Sequence, residues 1–247
     1  MTLATTTTGS GAPRVTIIHG FTQVGACMRP LAEEIGVPCR LVDAPFHGGS
    51  SDVDVDLAGA GAELAAACGG GVLVGYSMGA RIALHAILAE PDCASAVVLV
   101  SGTAGIADDA ARSTRRAADA ALAARILELG TGPFIEEWLA QPMFAGLPRS
   151  DADRALRATN RPESLARSVL RLGQGVQEPL WDRLGRIARP VTVIAGSDDP
   201  RYAEEAVRIA AAVQRGSSTV IAGAGHAVHV QEPAAVASAV RAAIAAQ

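Results

Sequence analysis

An alternation along the chain narrows the fold more than any other feature. Short, β-branched apolar runs stand at 15–19, 40–43, 71–75, 96–100, 191–195 and 218–221. Between them lie longer Ala- and Leu-rich stretches with helical character at 56–67, 78–89, 203–213 and 233–245. Strands that alternate with helices build a parallel sheet with crossover helices. Most of the strand runs are continuous rather than alternating, as expected of strands covered on both faces. Pro233 fits the first position of the last helix, where its missing N–H costs nothing. A length of 247 residues suits one such domain. The expectation is therefore an α/β fold with a mostly parallel sheet of at least six strands.

The rhythm breaks once. From 103 to 189 there are helical patterns at 109–129, 133–139, 150–158 and 162–172, a short piece near Trp181, and no strand run. This stretch reads as a helical cap inserted between strands, and it holds both tryptophans and most of the arginines. The core would then comprise residues 14–102 and 190–247, the cap residues 103–189, and residues 1–13 a flexible, solvated tail rich in Thr, Gly and Ser. That tail has neither a positive n-region nor an apolar h-region, so it does not read as a signal peptide.

Composition excludes several classes. Hydrophobic residues make up 49% and aromatics only 3%, so the core is built from Ala, Val, Leu and Ile, and a disordered chain is ruled out. No apolar run is long enough to span a membrane. A net charge of −4 speaks against a nucleic-acid surface. All 21 basic residues are arginines, which removes Schiff-base chemistry and the P-loop lysine. The four cysteines form no C-x-x-C pair, so a structural metal is not expected. They read as reduced, mostly buried residues of a cytoplasmic protein.

The chemistry centres on Gly75-Tyr76-Ser77-Met78-Gly79, a G-x-S-x-G sequence with a strand before it and a helix after it. In that context it forms a nucleophile elbow, with Ser77 Oγ exposed at the end of the strand. A serine hydroxyl needs a base. Of the five histidines, His226 follows the last strand on a loop at the carboxyl ends of the strands, where open α/β sheets bind ligands. His229 reads as a supporting or surface residue. The orienting carboxylate belongs after the preceding strand, where Asp198 and Asp199 compete and the G-x-x-D spacing favours Asp199. The order Ser77, Asp199, His226 matches that of α/β hydrolases. His19-Gly20-Phe21 follows the first strand and can supply one oxyanion amide, from Phe21, while Met78 supplies the other. Arg81 lies four residues after Ser77, in the first helical turn, where the dipole opposes a cation. It is either paired with a core carboxylate or holds an anionic substrate beside the serine.

Taken together these residues resemble the MenH family, the 2-succinyl-6-hydroxy-2,4-cyclohexadiene-1-carboxylate synthases of the α/β-hydrolase superfamily. The likeness includes His19-Gly20-Phe21-Thr22, His47-Gly48-Gly49-Ser50, the elbow through Arg81, and the cap segment from Trp138 through Gln141-Pro142 to Phe144. Arg157 followed by Asn160, and Pro179-Leu180-Trp181, extend it. The resemblance implies an α/β-hydrolase fold and a lyase that eliminates pyruvate from 2-succinyl-5-enolpyruvyl-6-hydroxy-3-cyclohexene-1-carboxylate in menaquinone biosynthesis. It implies no metal and no organic cofactor. It implies a catalytic triad of Ser77, Asp199 and His226, carboxylate-binding Arg81, Arg115 and Arg157, and substrate contacts from Tyr76 and Trp138. The implied partner is a small-molecule carboxylate. The family pattern has glycine where Phe46 stands here, and tryptophan near Met28. Two other readings remain: a serine esterase or carbon–carbon hydrolase working through an acyl-enzyme, and a non-catalytic binding protein. Oligomeric state is not readable from the sequence.

Overall fold

Seven strands pair into one sheet in a computed structural model that describes residues 2–246. Met1 of the expected tail and Gln247 of the expected core lie outside the described residues. The strands are β1 (Thr5–Thr8), β2 (Val15–Ile18), β3 (Cys39–Val42), β4 (Gly70–Tyr76), β5 (Ala94–Val100), β6 (Val191–Gly196) and β7 (Gly216–Ile221). Their spatial order is β1-β3-β2-β4-β5-β6-β7, with β1 antiparallel and every other pairing parallel. This is the α/β-hydrolase fold that the strand rhythm and the elbow led to expect.

Period-2 alternation explains the continuous apolar runs. Ile18, Leu73, Leu99 and Val193 face one buried cluster, while Ile17, Val72, Val74, Val98 and Ile194 face another. Helices α2 (Leu57–Ala67), α3 (Met78–Ala89) and α8 (Pro200–Ala212) cover the first face; α1 (Arg29–Ile35) and α10 (Pro233–Ala245) cover the second. The edge strand β7 departs from the pattern, because its residues are almost all exposed.

The expected tail is not a tail. Thr5–Thr8 pairs with β3 from Thr5↔Val42 to Thr8↔Cys39, and Leu3 is buried. Four consecutive β-branched residues have high strand propensity, and the bare edge of β3 offers them a ladder. Ala4 secures the docking, with its N–H on Ser50 Oγ and its carbonyl accepting from Asp43 N.

Between β5 and β6 the chain forms α4 (Asp109–Leu129), α5 (Thr131–Leu139), α6 (Asp151–Arg157) and α7 (Pro162–Leu172). Asp108 and Ser150 cap α4 and α6 by accepting from Ala111 N and Asp153 N. Leu165, Ala166 and Val169 of α7 pack on Ala123 and Ile126 of α4 and on Phe134 of α5, giving this region a small core of its own. It lies over the carboxyl ends of the strands. A last short helix, α9 (Val228–Gln231), precedes α10.

Candidate active site

The elbow owes its shape to two glycines. Ser77 sits at φ 51°, ψ −106°, a strained backbone for an L residue. A Cβ on Gly75 would fall 2.5 Å from Gly79 O, and one on Gly79 would fall 2.4 Å from Ile18 O, so neither position admits a side chain. The strand can therefore turn into α3 within one residue, leaving Ser77 at the tip.

Ser77 Oγ is 2.9 Å from His226 Nε2, and His226 Nδ1 is 2.6 Å from Asp199 Oδ2. A carboxylate only accepts, so Nδ1 carries the ring proton and Nε2 is left to accept from the serine hydroxyl. Asp199, buried at the start of α8, faces the histidine; Asp198 is exposed and accepts from Ser197 Oγ. His226 is itself buried, its carbonyl held by Ser101 Oγ at 2.7 Å and its ring edge-on to Tyr202 at 4.5 Å. His229 is no surface residue: it is fully buried and lies 4.0 Å from the Tyr76 ring. Burial pushes its pKa down to about 3, so it stays neutral. His19 is a structural histidine, with Nδ1–H on Gly20 O and Nε2 accepting from Ala44 N.

The amides of Phe21 and Met78 have no acceptor among the described residues, and both residues line the cavity that contains Ser77 and His226. Met78 opens α3, where the first N–H groups lack intrahelical partners. Phe46, where the family pattern has glycine, takes φ 69° and explains that preference.

The cavity measures about 410 Å³ and is rich in arginine: Arg81, Arg115, Arg157 and Arg201 all line it. They differ in their internal partners. Arg115 Nε pairs with Asp119 at 2.7 Å, and Arg157 Nε pairs with Asp153 at 2.6 Å. Arg81 is buried and has no ion pair among the described residues; Nη1 donates instead to Leu172 O at 2.5 Å and to Gln177 Oε1 at 3.4 Å. Of the two readings of Arg81, the core-carboxylate pair is thus absent. Burial lowers its pKa to about 10, which leaves it charged at neutral pH. Trp138 and Tyr76 also line the cavity, and Trp138 stands edge-on to Phe21 at 5.2 Å.

Sequence reasoning missed Arg201, Gln174 and Tyr202. Arg201 donates to Gln174 Oε1 at 2.9 Å, and Gln174 Nε2 donates to Tyr202 Oη at 2.8 Å. The signal available was adjacency, since Arg201 and Tyr202 follow Asp199 by two and three residues. Among the described residues no group of three or more His, Cys, Asp and Glu side chains is placed to hold a metal ion. Among the same residues no helix is long and apolar enough to cross a membrane.

A family model described as "Alpha/beta hydrolase family" matches residues 17–239. A Salmonella paratyphi A protein named 2-succinyl-6-hydroxy-2,4-cyclohexadiene-1-carboxylate synthase is 31% identical over 240 residues, covering 92% of this chain and 91% of that protein. Among solved structures, MenH from S. aureus superposes with a TM-score of 0.89 at 23% identity and covers 98% of both chains. A thermophilic esterase from Thermogutta terrifontis, with malate bound, superposes with a TM-score of 0.80 at 25% identity, covering 97% of this chain and 92% of the esterase.

Proposed function

The chain belongs to the alpha/beta hydrolase family, and within it we propose a lyase of menaquinone biosynthesis that eliminates pyruvate from 2-succinyl-5-enolpyruvyl-6-hydroxy-3-cyclohexene-1-carboxylate. The product would be 2-succinyl-6-hydroxy-2,4-cyclohexadiene-1-carboxylate. One observation carries the reading: the cavity at Ser77 is lined by four arginines, and the one nearest the serine in sequence, Arg81, has no carboxylate partner among the described residues. A neutral ester gains nothing from such a cation, whereas a tricarboxylate needs several. Arginine also presents a planar fork matched to carboxylate oxygens.

In this mechanism Asp199 orients His226, and His226 Nε2 takes the proton of Ser77 Oγ as Ser77 in turn removes a ring proton from the substrate. The electron pair released moves toward the succinyl ketone, whose oxygen becomes an enolate facing the N–H groups of Phe21 and Met78. Collapse of the enolate shifts the electrons through the ring, and the carbon–oxygen bond to the enolpyruvyl group breaks. The leaving group departs as the enolate of pyruvate and takes up the proton that His226 received from Ser77, which leaves histidine neutral and serine carrying the ring proton. Arg81, Arg115 and Arg157 hold the carboxylates, with Tyr76 and Trp138 against the ring. No covalent intermediate and no cofactor is needed. The reading places the enzyme in the cytoplasm, in keeping with its four free cysteines.

A second reading, an esterase for small carboxylate-bearing esters, takes support from the fold shared with the malate-bound esterase. Incubation with the enolpyruvyl substrate separates the two. The lyase reading expects pyruvate release with no acyl group on Ser77 by intact-protein mass spectrometry, and loss of turnover in Ser77→Ala. An acyl-Ser77 adduct with ester substrates, and no pyruvate, would establish the esterase instead.

A further inference from the structure

The loop that carries the Phe21 amide is held from the cap. Residues 20–23 form a tight turn closed by Gln23 N donating to Gly20 O at 3.2 Å, with Thr22 in third place at φ 69°. A turn with positive φ at that place calls for glycine or asparagine. A β-branched residue there is an outlier that persists only when its surroundings impose it. Those surroundings are specific. Thr22 is fully buried, and cap residues bind both its oxygens: Asn160 Nδ2 donates to Thr22 O at 2.9 Å and Arg157 Nη1 to Thr22 Oγ1 at 2.5 Å. Asn160, also buried, accepts from Gly48 N on Oδ1 at 2.9 Å and donates from Nδ2 to Arg157 O at 3.0 Å. One amide thus joins the cap to the two loops that begin at His19 and His47.

The consequence passes through a single peptide. Gly20 O accepts from Gln23 N and, at 2.7 Å, from His19 Nδ1, so its direction is fixed from two sides. The peptide between Gly20 and Phe21 is planar and trans, so the Phe21 N–H points the opposite way. We propose that Asn160 is a positioning residue for the oxyanion pair, clamping Thr22 in its left-handed conformation so that the turn keeps the Phe21 N–H aimed beside Ser77. The proposal rests on the oxyanion role of Phe21 and Met78, but not on the choice between lyase and esterase.

Asn160→Ala tests it, with Thr22→Gly added in the same background. Removing a whole oxyanion donor lowers kcat by about 10²- to 10³-fold. Misaiming one should lower it by about 10- to 100-fold while KM stays within about threefold, measured on pyruvate release or, should wild type release none, on ester hydrolysis. Thr22→Gly should then restore part of kcat, because glycine adopts the required φ without a clamp. Phenylboronic acid supplies the second readout. Ser77 Oγ bonds to boron, its proton passes to His226, and the tetrahedral anion sets one hydroxyl against the two amides. Its affinity should fall in parallel with kcat and recover with it. Unchanged kcat and boronate affinity in Asn160→Ala would overturn the proposal. So would losses that follow only a lowered Tm, losses that glycine at 22 leaves uncorrected, or a wild type that binds no boronate.

Discussion

Arg81 and Asp199 are where single side chains are expected to matter most. From the sequence, Arg81→Ala looks harmless to folding, because it removes a cation from the first turn of a helix. The structure changes that expectation: the guanidinium holds Leu172 O and Gln177 Oε1 of the cap region, and its loss strands buried acceptors. Arg81→Ala should therefore cost about 1–3 kcal/mol of stability as well as activity. The activity loss should be about 10- to 150-fold in kcat/KM, the worth of one charge-assisted hydrogen bond, with the protein still folded at the assay temperature. Arg81→Lys should recover part of it, since an ammonium reaches one acceptor but cannot reproduce the fork. Pyruvate-release kinetics beside urea titrations of both variants check this; full activity in the alanine variant would assign Arg81 to the fold alone. Asp199→Asn should leave stability nearly unchanged but lower kcat by roughly 10³- to 10⁴-fold, because an amide facing Nδ1 permits the wrong tautomer of His226. A loss under tenfold would mean that the pairing is not used in turnover.

Among the elements, the elbow tolerates little change. A methyl group on Gly79 would meet the carbonyls of Ile18 and His19 in β2 and its following loop, backbone that cannot swing aside. Gly79→Ala should cost about 1–3 kcal/mol as overpacking and displace Ser77 from His226, so that chemical denaturation and turnover fall together. The elements legible in the sequence were those with strong local signals: α4 and α7 begin and end where their periodicity does, and the six parallel strands follow the apolar runs. The elbow and the order Ser77, Asp199, His226 could be read because they depend on chain order and spacing. What the sequence hid depends on partners. Thr5–Thr8 looks like a solvated tract until β3 offers it an edge, and α1 is short, with Pro30 in its first turn and no long period to announce it. Arg201 and Gln174 enter the cavity only through the packing of α8 against the cap, which no local pattern encodes.

For the molecule as a whole, the buried histidines set an acid limit. Burial holds His19 and His85 down to about 4, and His47 and His229 down to about 3. In the unfolded chain each returns to about 6.5. Below that value the unfolded state binds protons that the folded state refuses, so stability falls as pH drops from about 6.5 toward 4 and is level above it. Each buried histidine adds about 1.4 kcal/mol per pH unit to the slope once the unfolded group is fully protonated. Urea titrations from pH 7.5 to 5 should show this fall, and His47→Gln should flatten it by one histidine's share; a pH-independent midpoint would mean the histidines are protonated within the fold. The division of the cavity between core and cap has a different consequence. Ser77, Asp199 and His226 come from the sheet's own loops, while Arg115, Arg157 and Trp138 come from the stretch between β5 and β6. On the proposed reading, editing one continuous insert would change much of what is recognised while Arg81 and the residues that move the proton stay in place. A transplant of that insert between relatives would be expected to carry ligand preference with it, provided that Asn160 and Thr22 travel as a pair.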